Sequence, residues 1–309
     1  MEKFKAGKMI VYLAATFASL FWGYSYVWFK QVNVVYGPIT IITLRLVVAT
    51  LFLSFLMSLA KKHQKIQSGH WKHFFLLALL QPFLYFFCES VGLTMVTATT
   101  ASIIVSTIPV FTPIFTHFIS REYFGYWVAF GLLLSFVGVT MVVRSDGSGT
   151  NSIPGIILMF GAVASAIVYG LTLKSISSEY SSLTIVKYQN MIGLLYFIPI
   201  FIFAEGKYFM TIHHNVEAIT NIIKLGTMPS TLSFIFITFA IRRIGLINTN
   251  IFANLIPVFT AVIAYIVLND PLPLLKVLGI LIVICGLFIS QIPQYRKYRK
   301  LKKEKKSIK

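Results

Sequence analysis

Two charged side chains, Arg45 and Glu89, stand inside otherwise apolar stretches. A charge within hydrocarbon is expensive, so by default it marks either a structural pair or a functional group. Arg45 is about eight residues, and Glu89 about six, from the ends of their stretches, or roughly 12 and 9 Å at ~1.5 Å per helical residue. The stretches run in opposite directions, so the two side chains could meet. Two roles stay open: a permanent pair clamping the stretches, which would relieve much of the desolvation cost, or a working site. In the second, Arg45 engages a substrate carboxylate, or Glu89 takes up a proton. Gln81, Tyr85 and Glu89 recur at i, i+4 and i+8 and so share one helix face. Thr99, Ser102 and Ser106 form a second polar stripe, with Asn250 and Asn254 in a later stretch. Such groups either line a cavity or hydrogen-bond between helices for ~0.6 kcal/mol each. Pro109 and Pro257 each remove a backbone donor and are expected to kink their helices. Trp22, Tyr26 and Tyr169 are candidates for an aromatic lining, and Gln189, with Lys187 and Asn190, for a gate. Trp28 reads as an interfacial anchor.

No G-x-x-x-x-G-K-[ST] loop is present to bind a nucleotide, no G-x-S-x-G to supply a nucleophile, and no H-E-x-x-H or Cys-rich spacing for a metal. His213-His214 alone is too little for a metal site. The chemistry on offer is binding and proton exchange, with no cofactor implied and proton coupling open.

The elements that must position these residues follow from composition. Hydrophobic residues make up 57% of 309 and charged residues 12%, against about 25% charged in soluble domains. Apolar runs of about 20 residues, the length that spans a bilayer core, fall at Met9–Phe29, Pro38–Leu59, Trp71–Met95, Thr97–Ile119, Gly125–Val143, Pro154–Leu173, Leu183–Ala204, Ala218–Ile241, Leu246–Leu268 and Leu272–Ile292. An all-α membrane protein of ten spans is the expectation. The first run is too long for a cleavable signal. The net charge of +18 invites a nucleic-acid partner, but nine of the 27 Lys and Arg residues crowd the tail from Arg296 to Lys309. Most of the others sit between runs. That is the positive-inside pattern, and it places both termini in the cytoplasm of a cell-membrane protein, with the bilayer rather than nucleic acid as its surroundings. On the opposite side fall Lys30, Arg144, Lys207 and Lys276.

The chain also repeats itself. Ile108-Pro109-Val110-Phe111-Thr112 returns as Ile256-Pro257-Val258-Phe259-Thr260, and the same offset pairs Glu122 with Asp270, Gly131 with Gly279 and Gly138 with Gly286. Two five-helix units are therefore expected, 9–143 and 154–292, between a short N-terminal segment (1–8), a linker (144–153) and a basic tail (293–309). An odd number of spans per unit inverts one unit relative to the other, the arrangement from which many secondary transporters obtain two oppositely open states. The glycine pairs are expected to pack helices closely.

Trp22-Gly23, Arg45 after Pro38, Gly92-Leu93, the run Thr97–Ser102 leading into Ile108-Pro109, and its echo Thr249–Asn254 before Ile256-Pro257 carry a resemblance. With Asp270 and Gly279 they make the chain similar to the drug/metabolite transporter superfamily, specifically its EamA-type proteins. The resemblance implies ten helices, a central cavity lined by both repeats, and transport, often export, of amino acids or other small metabolites. Multidrug or nucleotide-sugar transport stays open as the alternative, and a non-transporting membrane scaffold as a different class. Substrate and oligomeric state are not legible.

Overall fold

Lipid offers the backbone no hydrogen bonds, so apolar runs of this length are driven into helices. The computed structural model describes the backbone of residues 2–59, 64–120, 126–147, 151–176, 179–244, 249 and 252–307. Arg121, Glu122 and Asn250 lie outside the described residues, as do the side chains of the basic tail. The described elements are helical: α1 (Glu2–Asn33), α2 (Pro38–Leu59), α3 (Ser68–Thr94), α4 in two pieces (Ala98–Ser106 and Ile108–Ser120), α5 (Tyr126–Ser145), α6 (Ile153–Ile176), α7 (Ser182–Thr211), α8 (Val216–Ile241), α9 (Ile256–Val267) and α10 (Leu274–Ser307). Among the described residues nine helices are long and apolar enough to cross a membrane, and α9 is a shorter apolar helix. The fold is all-α, as expected.

The helices pair as the internal repeat requires. α5 packs on α10 and α2 on α7, each the partner of its own counterpart, while α3 on α6 mirrors α1 on α8. Glycine explains the closest of these contacts. A Cβ at Gly138 would sit 2.6 Å from the Gly279 carbonyl, and one at Gly286 2.6 Å from that of Gly131. Small residues let backbones approach where lipid gives little drive for association. Gly23, from the aromatic-Gly pair, similarly admits α9, where Thr260 Oγ1 donates to the Gly23 carbonyl at 3.2 Å.

Proline acts at its expected places, and more sharply than as kinks. α4 breaks at Thr107, just before Ile108-Pro109, and the ninth run breaks at Asn254-Leu255, just before Ile256-Pro257. Each proline thus occupies the first turn of a new helix, where its missing N–H is not needed. The expected span 246–268 is thus helical on both sides of a break: described residues 249 and 252–253 are helical before it, and a helix runs from Ile256 to Val267 after it.

A second correction concerns α3. Gln81 adopts φ −144°, ψ 122° and the Gln81-Pro82 bond is cis, inside a wide π-type turn over Leu79–Leu84. Gln81 therefore leaves the helical register assumed for Gln81, Tyr85 and Glu89. A third concerns Trp28, which is buried and stacked on Tyr24 at 4.9 Å rather than anchored at an interface. The ammonium of Lys224 on α8 lies over the indole ring, 5.9 Å from its centre.

Candidate functional site

Arg45 is held by two contacts from different helices. Its Nε donates to Ser230 Oγ at 2.7 Å, and its guanidinium carbon lies 4.3 Å from the centre of the Phe86 ring. Its side chain is half-buried. Ser230 is available because α8 widens into a π-type turn at Met228–Leu232 behind Pro229. Such single-turn bulges are frequent at functional sites. Ser230 Oγ donates in turn to the Leu225 carbonyl at 2.8 Å. The Pro229 carbonyl accepts from Trp22 Nε1 at 3.2 Å, and Trp22 meets Phe234 edge-on at 5.8 Å. One irregular turn therefore positions both Arg45 and Trp22.

Glu89 is buried and accepts from the Tyr85 hydroxyl at 2.8 Å, with the Tyr26 hydroxyl directed at the same carboxyl. The direct Arg45–Glu89 pair is not formed. No Arg45 nitrogen comes within 4.0 Å of that carboxylate, although the two sense each other's charge. The physical reason is competition: Ser230 of α8 and the Phe86 ring of α3 engage the guanidinium, while the Tyr85 and Tyr26 hydroxyls face the carboxylate. Among the described residues Arg45 makes its single hydrogen bond through Nε, leaving both terminal amino groups of the fork for another partner.

A second cluster adjoins the first. The α3 break frees carbonyls, which neighbouring helices satisfy: Leu80 O accepts from Ser165 Oγ at 2.7 Å and Gln81 O from Gln189 Nε2 at 3.1 Å. Tyr169 donates to Gln189 Oε1 at 3.1 Å. Gln81, Tyr169, Gln189 and Asn190 share a cavity of about 30 Å³ with Phe86 and Ser230, the residues that hold Arg45. That volume admits water but not a metabolite. Tyr169, Gln189 and Asn190 lie toward the end of the bundle where the termini emerge, and Arg45 and Glu89 toward the far end. A larger cavity of about 390 Å³ lies between α2 and α8, lined by Tyr36, Phe209, His214 and aliphatic side chains, and touches none of these groups.

Of the expected site residues, Trp22, Tyr26, Arg45, Tyr85 and Glu89 converge, and Gln81, Tyr169 and Gln189 form the adjoining cluster. Ser102 and Ser106 do not join either: both are turned back to their own helix, donating to Thr99 O at 2.8 Å and Ile103 O at 2.7 Å. Asn254 is buried with Nδ2 unpartnered, as is that of Asn190. Sequence reasoning missed Phe86, Ser230 and Phe234. The signal that could have found Ser230 is Pro229, a helix breaker within an apolar run beside small polar residues. Among the described residues no group of three His, Cys, Asp or Glu side chains could hold a metal.

The profile of the EamA-like transporter family matches residues 9–144 and 153–291. Two uncharacterized transporters of Archaeoglobus fulgidus are 26% and 24% identical, covering 87% and 92% of this chain and 94% and 98% of their own. The uncharacterized transporter YetK of Bacillus subtilis is 24% identical over 69% of this chain, a match that spans 65% of YetK. A protein of known crystal structure superposes with a TM-score of 0.68 at 13% identity, covering 93% of this chain and 98% of that one, which speaks for the fold. Helices long enough to span a bilayer, the repeated broken helices and the matched profile lead to one assignment: the chain belongs to the EamA-like transporter family of the drug/metabolite transporter superfamily.

Proposed function

We propose that the protein is a secondary transporter that moves small zwitterionic metabolites, amino acids foremost, out of the cell by alternating access. The observation that carries this reading is Arg45, anchored by Nε and by Phe86 with its fork unengaged, opposite a carboxylate held more than 4.0 Å away by tyrosines. A guanidinium fork matches a substrate carboxylate in a two-bond fit, and Glu89 offers a counter-charge to an ammonium group. Trp22, Phe86 and Phe234 supply apolar surface for a side chain. Access to the site from either side would use the opening that two inverted halves permit. Glu89, buried between tyrosines, is the group proposed to exchange a proton during the cycle. The sidedness of the basic residues supports cytoplasmic termini in the cell membrane.

The aromatic lining also favours a second reading, a carrier of amphipathic cations that uses Glu89 and leaves Arg45 structural. A thermal-shift screen of the detergent-solubilised protein against amino acids, organic acids, nucleosides and aromatic cations separates the two. Stabilisation by amino acids that disappears in Arg45→Met supports the first reading; stabilisation by cations alone, unchanged in Arg45→Met, overturns it.

A further inference from the structure

Lys276 is the unusual residue at the far end of the bundle. Sequence position places it near the start of α10 among outer charges, yet its side chain is fully buried. Its ammonium donates to Asp270 Oδ1 at 2.8 Å and to the Pro271 carbonyl at 3.1 Å, and pairs with Asp146 Oδ1 at 2.6 Å. Two of these contacts are hydrogen bonds and the third, to Asp146, is an ion pair. The outer oxygens of the two carboxylates are filled as well. Asp146 Oδ2 accepts from Thr97 Oγ1 and Thr100 Oγ1 at 2.9 Å and from Asn151 Nδ2 at 2.7 Å, and Asp270 Oδ2 accepts from Thr99 Oγ1 at 2.9 Å. Lys30, in the last turn of α1, senses the charge of Asp270, so two lysines stand against two aspartates.

The cluster draws together four parts of the chain: the end of α1, the start of α4, the linker between the two halves, and the α9–α10 turn with α10. Asp146 is 1% exposed and Lys276 0%. At the opposite end the chain around the start of α3 meets the α6–α7 connection through one exposed contact, His70 Nδ1 to Glu179 at 3.3 Å with the two side chains 25% and 44% exposed, and through neutral hydrogen bonds, Gln64 Nε2 to the Glu179 carbonyl at 2.7 Å, Ser181 N to Gln64 Oε1 at 3.0 Å and Gln67 N to the Tyr180 hydroxyl at 3.0 Å. Contacts that bury no charge part at less cost, whereas a buried ion cluster separates only if its charges find water or new partners.

We propose that Lys276, Asp146 and Asp270, with Thr97, Thr99 and Thr100, are the gate that holds the far end of the transporter shut, and that the cycle must break this cluster to expose the Arg45 site on that side. The inference rests on the alternating-access reading. It assigns Lys276 the role of a tethered cation: it fills an oxygen-lined site between the halves, and leaves when α10 and the linker separate.

The test replaces Cys88 and Cys285 with serine and places one reporter cysteine at Ser102, one turn below the cluster, or at Asn190 in the adjoining cavity. A membrane-impermeant thiol reagent is applied to intact cells and to inverted vesicles. In the neutral triple variant K276M/D146N/D270N, the Ser102 reporter is expected to react about tenfold faster from the far face, and the Asn190 reporter more slowly from the near face. An unchanged Ser102 rate in a variant that melts as a folded protein overturns the gate. A faster Ser102 rate with no fall at Asn190 supports the gate and contradicts alternation, so the two failures are distinguishable. A second variant removes dependence on the folding of the first. Asp146→Cys/Lys276→Cys, bridged by a short bifunctional methanethiosulfonate, is expected to lose uptake of a labelled amino-acid mixture and to regain it on reduction. Equal uptake by the bridged and reduced forms overturns the gate.

Discussion

Arg45→Lys isolates the fork geometry from the charge. The ammonium keeps the positive charge that Glu89 senses, but a point charge on a flexible stem cannot anchor through one nitrogen and present two more in a plane. Two sets of contacts change. The charge-assisted bond from Nε to Ser230, at 2.7 Å, belongs to a class worth about 1.5–3 kcal/mol. The stacking on Phe86, at 4.3 Å, belongs to a class worth about 0.5–2 kcal/mol. Both fix the position of Arg45 rather than bind the ligand. The ligand itself loses one of two bonds from the fork, about 1.4–2.8 kcal/mol, or about ten- to hundredfold in affinity. Uptake of a labelled amino-acid mixture into proteoliposomes should therefore show a KM raised by about ten- to hundredfold, with a melting temperature lowered to the extent that the Ser230 and Phe86 contacts are lost. Ser230→Ala should move KM in the same direction by less, since it removes the anchor and leaves the fork. A KM for Arg45→Lys within about twofold of wild type, a difference below 0.5 kcal/mol, would refute the reasoning and return Arg45 to a structural role.

Glu89→Gln keeps the shape and the Tyr85 contact but cannot exchange a proton, so the pH dependence of uptake should flatten; an unaltered profile at full rate leaves Glu89 structural. Gly138→Val places a Cβ 2.6 Å from the Gly279 carbonyl, and the forced separation of α5 and α10 should cost about 1–3 kcal/mol, read as a lower melting temperature. An unchanged melting temperature would mean that the two helices have room to spare. Gln189→Leu leaves the Gln81 carbonyl without its donor and Tyr169 without its acceptor, a loss of about 1–3 kcal/mol for a stranded buried polar group. Stability equal to wild type would show that the α3 break is held elsewhere.

Helix number, repeat and the close-packed glycines were legible because each is written locally, as run length, offset or residue size. Arg45 and Glu89 were legible for the same reason: a charge in an apolar run is visible without neighbours. Their separation was not, because it depends on Ser230 and Phe86, which compete for the guanidinium from other helices. Gln81 was placed on the wrong register because helical periodicity was carried through Pro82, where the backbone turns out of the helix. Ser102 and Ser106 looked like a lining because spacing gives a face but not a hydrogen bond, and both hydroxyls found carbonyls of their own helix. Lys276 looked like an outer loop charge; only the meeting of the linker with the α9–α10 turn buries it.

Transport without nucleotide is the property that everything else presupposes. The direct measurement is counterflow: purified protein in liposomes preloaded with unlabelled amino acids, with trace labelled amino acids outside and no ATP on either side. Transient accumulation of label above its equilibrium level, abolished in Arg45→Met, is the predicted result. No accumulation with any amino acid, or accumulation that appears only when ATP is supplied, would contradict it.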